Sequence, residues 1–226
     1  MSTVIGVVQF PGSNCEADVV EAASGLGADA RLLWHGDATI SPGVDAVVVP
    51  GGFAHGDYLR PGAIARFSPV ISAVSDFARG GGPVVGICNG FQVLTEAGLL
   101  PGALRKNDGL RFLCTTVEVE VVATRSALTS TTSAGEVLRL PINHFEGAFT
   151  CDDATLEELG ANDQIVLRYV DNPNGSIDDI AGICNEEGNV VGLMPHPERA
   201  TSELLGSSDG IGLLRSLIDS ASVPSR

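Results

Sequence analysis

The sequence predicts an α/β fold: a three-layer sandwich with a mostly parallel central sheet, helices on both faces, and mixed or antiparallel additions in the second half. Two observations carry this. Up to Pro101, apolar β-branched runs of strand length alternate with longer helical patterns, the signature of a parallel sheet covered on both sides. Beyond Pro101 strands dominate, and residues 115–122 alternate between apolar and polar as a half-buried strand does. A chain of 226 residues is served by one hydrophobic core, and no low-complexity linker divides it, so residues 1–226 read as one domain.

Each element has its own signal. Residues 3–10 form a first strand, and Ser13 with Glu16 matches the S-x-x-E capping box of a helix running to about Leu26, where Gly27 closes it. Residues 32–34 and 45–49 are strands, the second ending abruptly in Pro50-Gly51-Gly52. Residues 62–79 are helical with an interruption near Pro69, and Gly80-Gly81-Gly82-Pro83 separates them from a strand over 84–87 and a helix over 91–100. Strands follow near 115–122, 137–142, 165–170, 180–184 and 190–193. Ile211, Leu214, Leu217, Ile218 and Ala221 form the apolar stripe of a last helix.

Composition narrows the function. A formal charge of −15 repels polyanions, so neither nucleic acid nor an anionic membrane surface is a partner. No apolar run approaches the ~20 residues that span a bilayer, and the N-terminus lacks the basic flank of a signal peptide, so a cytoplasmic protein is expected. Five cysteines, Cys15, Cys88, Cys114, Cys151 and Cys184, are odd in number and form no CxxC pair. Neither a disulfide framework nor a metal site is expected.

The sharpest motif is Gly86-Ile87-Cys88-Asn89-Gly90, which follows a strand and opens a helix, as the G-x-S-x-G nucleophile elbow does. Small residues on both sides let the chain turn tightly, and free N–H groups at the helix start favour a thiolate. An inert buried thiol is the alternative for Cys88, and the inert reading suits the other four cysteines. A base candidate is His196 in Pro195-His196-Pro197-Glu198, where two prolines hold the segment extended and Glu198, two residues on, projects to the same side. His35, His55 and His144 are competitors, but none has a carboxylate two residues on in a segment so stiffened. For an oxyanion, the Asn89 N–H and a donor from Gly51-Gly52 are candidates, although the two glycines would also suit an ordinary turn.

Pro50-Gly51-Gly52, Cys88-x-Gly90-x-Gln92 and His196-Pro197-Glu198, in this order, resemble the class I, or triad, glutamine amidotransferases. The stretch from Pro50 through Gly56-Asp57-Tyr58-Leu59-Arg60, with Leu204-Leu205-Gly206-Ser207-Ser208-Asp209-Gly210, is similar to the glutaminase subunits of phosphoribosylformylglycinamidine synthases in purine biosynthesis. The resemblance implies a cysteine nucleophile at Cys88, proton relay by His196, orientation of His196 by Glu198, oxyanion binding by Gly52 and Asn89, and substrate contact from Gln92. It implies L-glutamine as substrate and ammonia as product, a large synthetase subunit that holds ATP and Mg, and a small bridging subunit. No G-x-x-x-x-G-K-[ST] loop is present, which agrees with an ATP site on the partner and no cofactor in this chain. Phe145 stands where the resemblance leads us to expect glycine. A related synthetase, such as one for guanine nucleotides, or a binding module or cysteine peptidase of similar fold, are the alternatives.

Overall fold

A computed structural model of the chain describes residues 2–222. The first half builds β1 (Val4–Gln9), α1 (Glu16–Gly25), β2 (Asp29–Trp34), β3 (Ala46–Val49), α2 (Pro69–Arg79), β4 (Val84–Ile87) and α3 (Asn89–Glu96). The second half adds β5 (Ala103–Arg105), β6 (Leu113–Val121), β7 (Val137–His144), β8 (Ala148–Thr150), α4 (Asp153–Ala161), β9 (Ile165–Tyr169), β10 (Ile180–Cys184), β11 (Val190–Leu193) and α5 (Gly210–Ala221). Nine of these strands form one sheet in the order β2-β1-β3-β4-β11-β10-β9-β6-β7. From β2 to β11 every pairing is parallel, and from β11 to β7 every pairing is antiparallel. The predicted change of character after Pro101 is therefore a change of strand direction within one sheet.

Burial explains the patterns. β3, β4, β10 and β11 are buried along their whole length, so they read as continuous apolar runs. β6 keeps one side toward solvent and alternates instead. Helix α2 places Val70, Ile71, Val74 and Ala78 on its buried side, and Pro69 sits in its first turn, where a missing N–H costs nothing. The expected interruption near Pro69 is thus the start of a helix, preceded by a short 3-10 turn over Ala65–Phe67.

Three local readings are corrected. The capping box does not form: the Ser13 hydroxyl accepts from the Phe10 N–H at 3.0 Å, Glu16 accepts from Gln9 at 3.1 Å, and Cys15 occupies the N-cap position of α1. Helix α3 starts at Asn89 and ends at Glu96, earlier at both ends than the 91–100 pattern suggests. β5, β8 and α4 are too short or too exposed to leave a period, and α4 buries only Leu159. Gly27 does close α1: its φ is +92°, and the Ala28 N–H reaches back to the Ala23 carbonyl at 3.1 Å.

The elbow between β4 and α3 is where packing is tightest. A Cβ on Gly90 would lie 1.8 Å from the Val49 carbonyl oxygen, and one on Gly86 would lie 2.7 Å from Gly90 backbone atoms. Backbone cannot yield as a flexible side chain can. Gly90→Ala is therefore expected to lower stability by about 3 kcal/mol in urea titration, as overpacking of a tight core does. Gly160→Ala, in open space within α4, should raise it by about 0.5–1 kcal/mol. Equal effects would contradict the packing argument.

Candidate active site

Strand register brings the predicted residues together. β4 and β11 pair in parallel with Ile87 opposite Leu193, and the Cys88 N–H continues the ladder to the Leu193 carbonyl at 2.8 Å. Val49 of β3 lies opposite Gly86. The C-terminal ends of β3, β4 and β11 thus deliver Gly51-Gly52, Cys88 and His196 to one edge of the sheet, where ligands bind in open α/β folds.

Cys88 adopts φ 51° and ψ −105°, a strained conformation for a residue with a side chain, directly before the first turn of α3. The thiol lines a cleft of about 290 Å³ whose wall also includes Gly52, Asp57, Gln92, His144 and Glu146. That volume lies at the lower end of small-molecule pockets, roughly 300 Å³. Asn89 is the first residue of α3, so its N–H has no acceptor within the helix. Among the described residues, the Gly52 N–H also lacks an intramolecular acceptor, and the Cys15 N–H holds the neighbouring Gly51 carbonyl at 3.3 Å.

His196 is buried, and its Nδ1 lies 2.7 Å from Glu198 Oε1. The geometry behind this differs from expectation. The segment is not extended: Pro197–Arg199 form a 3-10 turn, which folds Glu198 back onto the ring, and Pro141 of β7 accepts the His196 N–H at 2.8 Å. His196 Nε2 is buried without a partner, and Cys88 Sγ contacts the Asn143 carbonyl at 3.7 Å instead of the ring. Such contacts commonly tighten only when substrate binds. Burial opposes charge on His196, but Glu198, Cys88 and Cys15 together outweigh it and raise its pKa well above the usual histidine value. The same neighbours favour the charged form of the ring, the form that can give a proton to a leaving nitrogen.

Sequence reasoning missed several residues at this edge. Cys15, read as inert, sits beside the dyad: ligand atoms of Cys15, His196 and Glu198 lie within 4.8 Å of one another. A Cβ on Gly51 would lie 2.8 Å from His196 Cε1, 3.0 Å from Cys15 Sγ and 3.5 Å from Cys88 Cβ. Gly51 thus keeps open the space in which two cysteines and an imidazole meet. Arg199 Nη2 donates to Cys15 Sγ at 3.1 Å while its Nε binds Asp18 at 2.9 Å. That guanidinium sets a positive charge against the Cys15 sulfur, and Glu198 Oε1 is already committed to His196 Nδ1. No pattern of spacing marks Cys15, because it depends on a loop bridging Ser13 and Gly52. Gln92 lines the cleft, yet its amide is committed to Asn89 Nδ2 and the Glu146 carbonyl, so it braces the wall.

The fold and the sequence as a whole are similar to those of known proteins. The chain belongs to the CobB/CobQ-like glutamine amidotransferase domain family, whose sequence model matches residues 3–208. It is 56% identical over 219 residues to the phosphoribosylformylglycinamidine synthase subunit PurQ of Rubrobacter xylanophilus, covering 97% of this chain and 99% of that one. It is 54% identical over 216 residues to the protein of the same name from a Nostoc species, covering 95% and 96%. A chain in the structure of PurLQS from Thermotoga maritima, 40% identical, superposes with a TM-score of 0.89 over 97% of this chain and 99% of its own.

Two outcomes follow from the geometry. A chloroketone analogue of glutamine should alkylate Cys88 and spare Cys15, which lies outside the cleft; peptide mapping by mass spectrometry reads this, and label on Cys15 would reassign the nucleophile. Asp57 has its carboxyl pushed up to about 6, first by burial and then by the charge of Glu146, against a hydrogen bond from Asn89. A raised acid pKa means the fold is penalised as pH rises through about 6. Asp57→Asn should therefore stabilise the chain at pH 7 by about 1–2 kcal/mol, discounted for partial exposure, and not at pH 4. Equal midpoints for both chains at both pH values would refute this.

Proposed function

We propose that this chain is the glutaminase subunit of a phosphoribosylformylglycinamidine synthase, working as a single glutamine amidotransferase domain in the cytoplasm. The observation that carries the reading is Cys88, held at a strained elbow on the wall of a cleft of about 290 Å³, next to a buried His196–Glu198 pair. The names and coverage of the relatives support the choice of synthase.

Cys88 passes its thiol proton to His196, and Sγ attacks the side-chain amide carbon of L-glutamine. The N–H groups of Gly52 and Asn89 receive the carbonyl oxygen as it becomes negative, which is worth about 3 kcal/mol per donor in comparable sites. His196 protonates the nitrogen, the C–N bond breaks, and ammonia leaves a γ-glutamyl thioester. His196 then takes a proton from water, whose oxygen attacks the thioester carbon; the C–S bond breaks, glutamate leaves, and His196 returns the proton to the Cys88 sulfur. Glu198 fixes the ring and stabilises its charged form, as the carboxylate of a catalytic triad does.

Ammonia has value only where an acceptor is activated. The reading therefore includes a large synthetase subunit, with ATP and Mg on that partner, which converts formylglycinamide ribonucleotide to its amidine, and a small bridging subunit. The likeness to a chain of the Thermotoga maritima PurLQS structure supports such an assembly. No helix among the described residues is long and apolar enough to cross a membrane. Cys88→Ala should abolish glutamine-dependent synthesis in the reconstituted complex, a loss of more than about 1,000-fold, while ammonium salts still support it. Glutamine-dependent turnover equal to the parent would refute the assignment.

A further inference from the structure

The oxyanion donor at Gly52 and the proton relay at His196 come from distant parts of the chain and must keep one register. The Gly51–Gly52 peptide is trans, so its carbonyl and its N–H point in opposite directions. The Cys15 N–H takes the Gly51 carbonyl at 3.3 Å, which turns the Gly52 N–H away from the loop that carries Cys15. The Phe53 N–H is held in turn by the Gly12 carbonyl at 2.9 Å. The loop over residues 12–15 therefore clamps the chain on both sides of Gly52. It packs closely there, since a Cβ on Gly52 would lie 2.8 Å from the Asn14 nitrogen. Such a clamp is needed because a peptide between two glycines rotates easily when nothing holds it.

Arg199 connects that loop to the relay. It ends the 3-10 turn over Pro197–Arg199 that folds Glu198 onto His196, and its N–H donates to the His196 carbonyl at 3.2 Å. Its side chain leaves the turn and crosses to the start of α1. There Nη2 donates to Cys15 Sγ at 3.1 Å and Nε to Asp18 Oδ2 at 2.9 Å, partners 184 and 181 positions away in sequence. The Cys15 thiol donates onward to Asn14 Oδ1 at 3.2 Å, so the sulfur accepts from Arg199 and gives to the loop. A planar guanidinium meets both partners in one fixed geometry, which a single ammonium does not. Neither Arg199 nor Cys15 lines the cleft that holds the Cys88 thiol.

We propose that Arg199 is a positioning residue: by holding Cys15 and Asp18 it locks the loop that aims the Gly52 N–H to the turn that carries His196 and Glu198. This rests on the glutaminase reading and adds what keeps the oxyanion donor and the proton relay in register. A displacement of about 1 Å at such a site costs on the order of 100-fold in rate. Releasing Cys15 from Arg199 loosens the clamp on the Gly51–Gly52 peptide, and the donor is then no longer fixed where negative charge develops. That contact matters in the transition state more than in the bound substrate, so the loss falls on kcat and not on KM.

The test is steady-state kinetics of the reconstituted synthase complex, with synthesis from ammonium salts reporting that each variant is folded and assembled. Arg199→Ala and Cys15→Ala should each lower kcat for glutamine by about tenfold or more, with KM within about twofold of the parent. Cys15→Ser, whose hydroxyl still accepts from Arg199, should recover most of the loss. The double alanine variant should lose no more than the worse single one, because both substitutions cut the same link. Losses that multiply in the double variant, losses confined to KM, or parental kcat in an assembled alanine variant overturn the positioning role and leave the glutaminase reading standing. If Arg199→Ala does not assemble, Cys15→Ala and Cys15→Ser decide alone, and equal kcat in those two overturns the proposal. A parent complex that releases no glutamate from glutamine overturns both.

Discussion

The site depends on a steric constraint at one turn. Cys88 holds a positive φ because the chain must reverse between a fully buried strand and a helix packed on its neighbours. That reversal is possible only where Gly90 lies against the Val49 carbonyl with no room for a side chain, and Gly86 lies against Gly90. The strain at Cys88 is maintained by the packing of β3, β4 and α3, so the position of the sulfur is set by the core. The Asn89 N–H beside it is set by the same turn.

Around that turn the charges are arranged in layers. The innermost is the His196–Glu198 pair, excluded from solvent, where an imidazolium is favoured by its carboxylate. Outside it, Arg199 spans Cys15 and Asp18 and closes the side of the dyad away from the cleft. On the cleft side, carboxylates face the cavity and are not neutralised by the protein.

Much of this is legible in the sequence, and the reasons are specific. Buried strands such as β4 and β11 are short apolar runs bounded by glycine and proline, and the elbow needs glycines at fixed distances from its nucleophile. His196 and Glu198 are recognisable as a pair from their spacing, although the backbone geometry is not: a 3-10 turn, and not an extended segment, brings them together. Cys15 is not legible. It reaches the dyad because Ser13 bridges Gly52 and α1 is capped at Cys15 and not at Ser13, and both are tertiary facts. The setting of His144 gives no local sign either, since its ring is held by Asn107, 37 residues away in sequence. Asp57 lies within a recognisable motif, but its direction into the cleft follows from positive φ angles that no residue type in the segment announces except Gly56.

The most direct measurement is a crystal structure of the chain trapped as its γ-glutamyl thioester within the synthase complex. Continuous density from Cys88 Sγ to the glutamyl carbon, with the carbonyl oxygen within hydrogen-bond distance of the Gly52 and Asn89 N–H groups, is the predicted result. An acyl group on Cys15, or a carbonyl oxygen turned away from both N–H groups, would contradict the account.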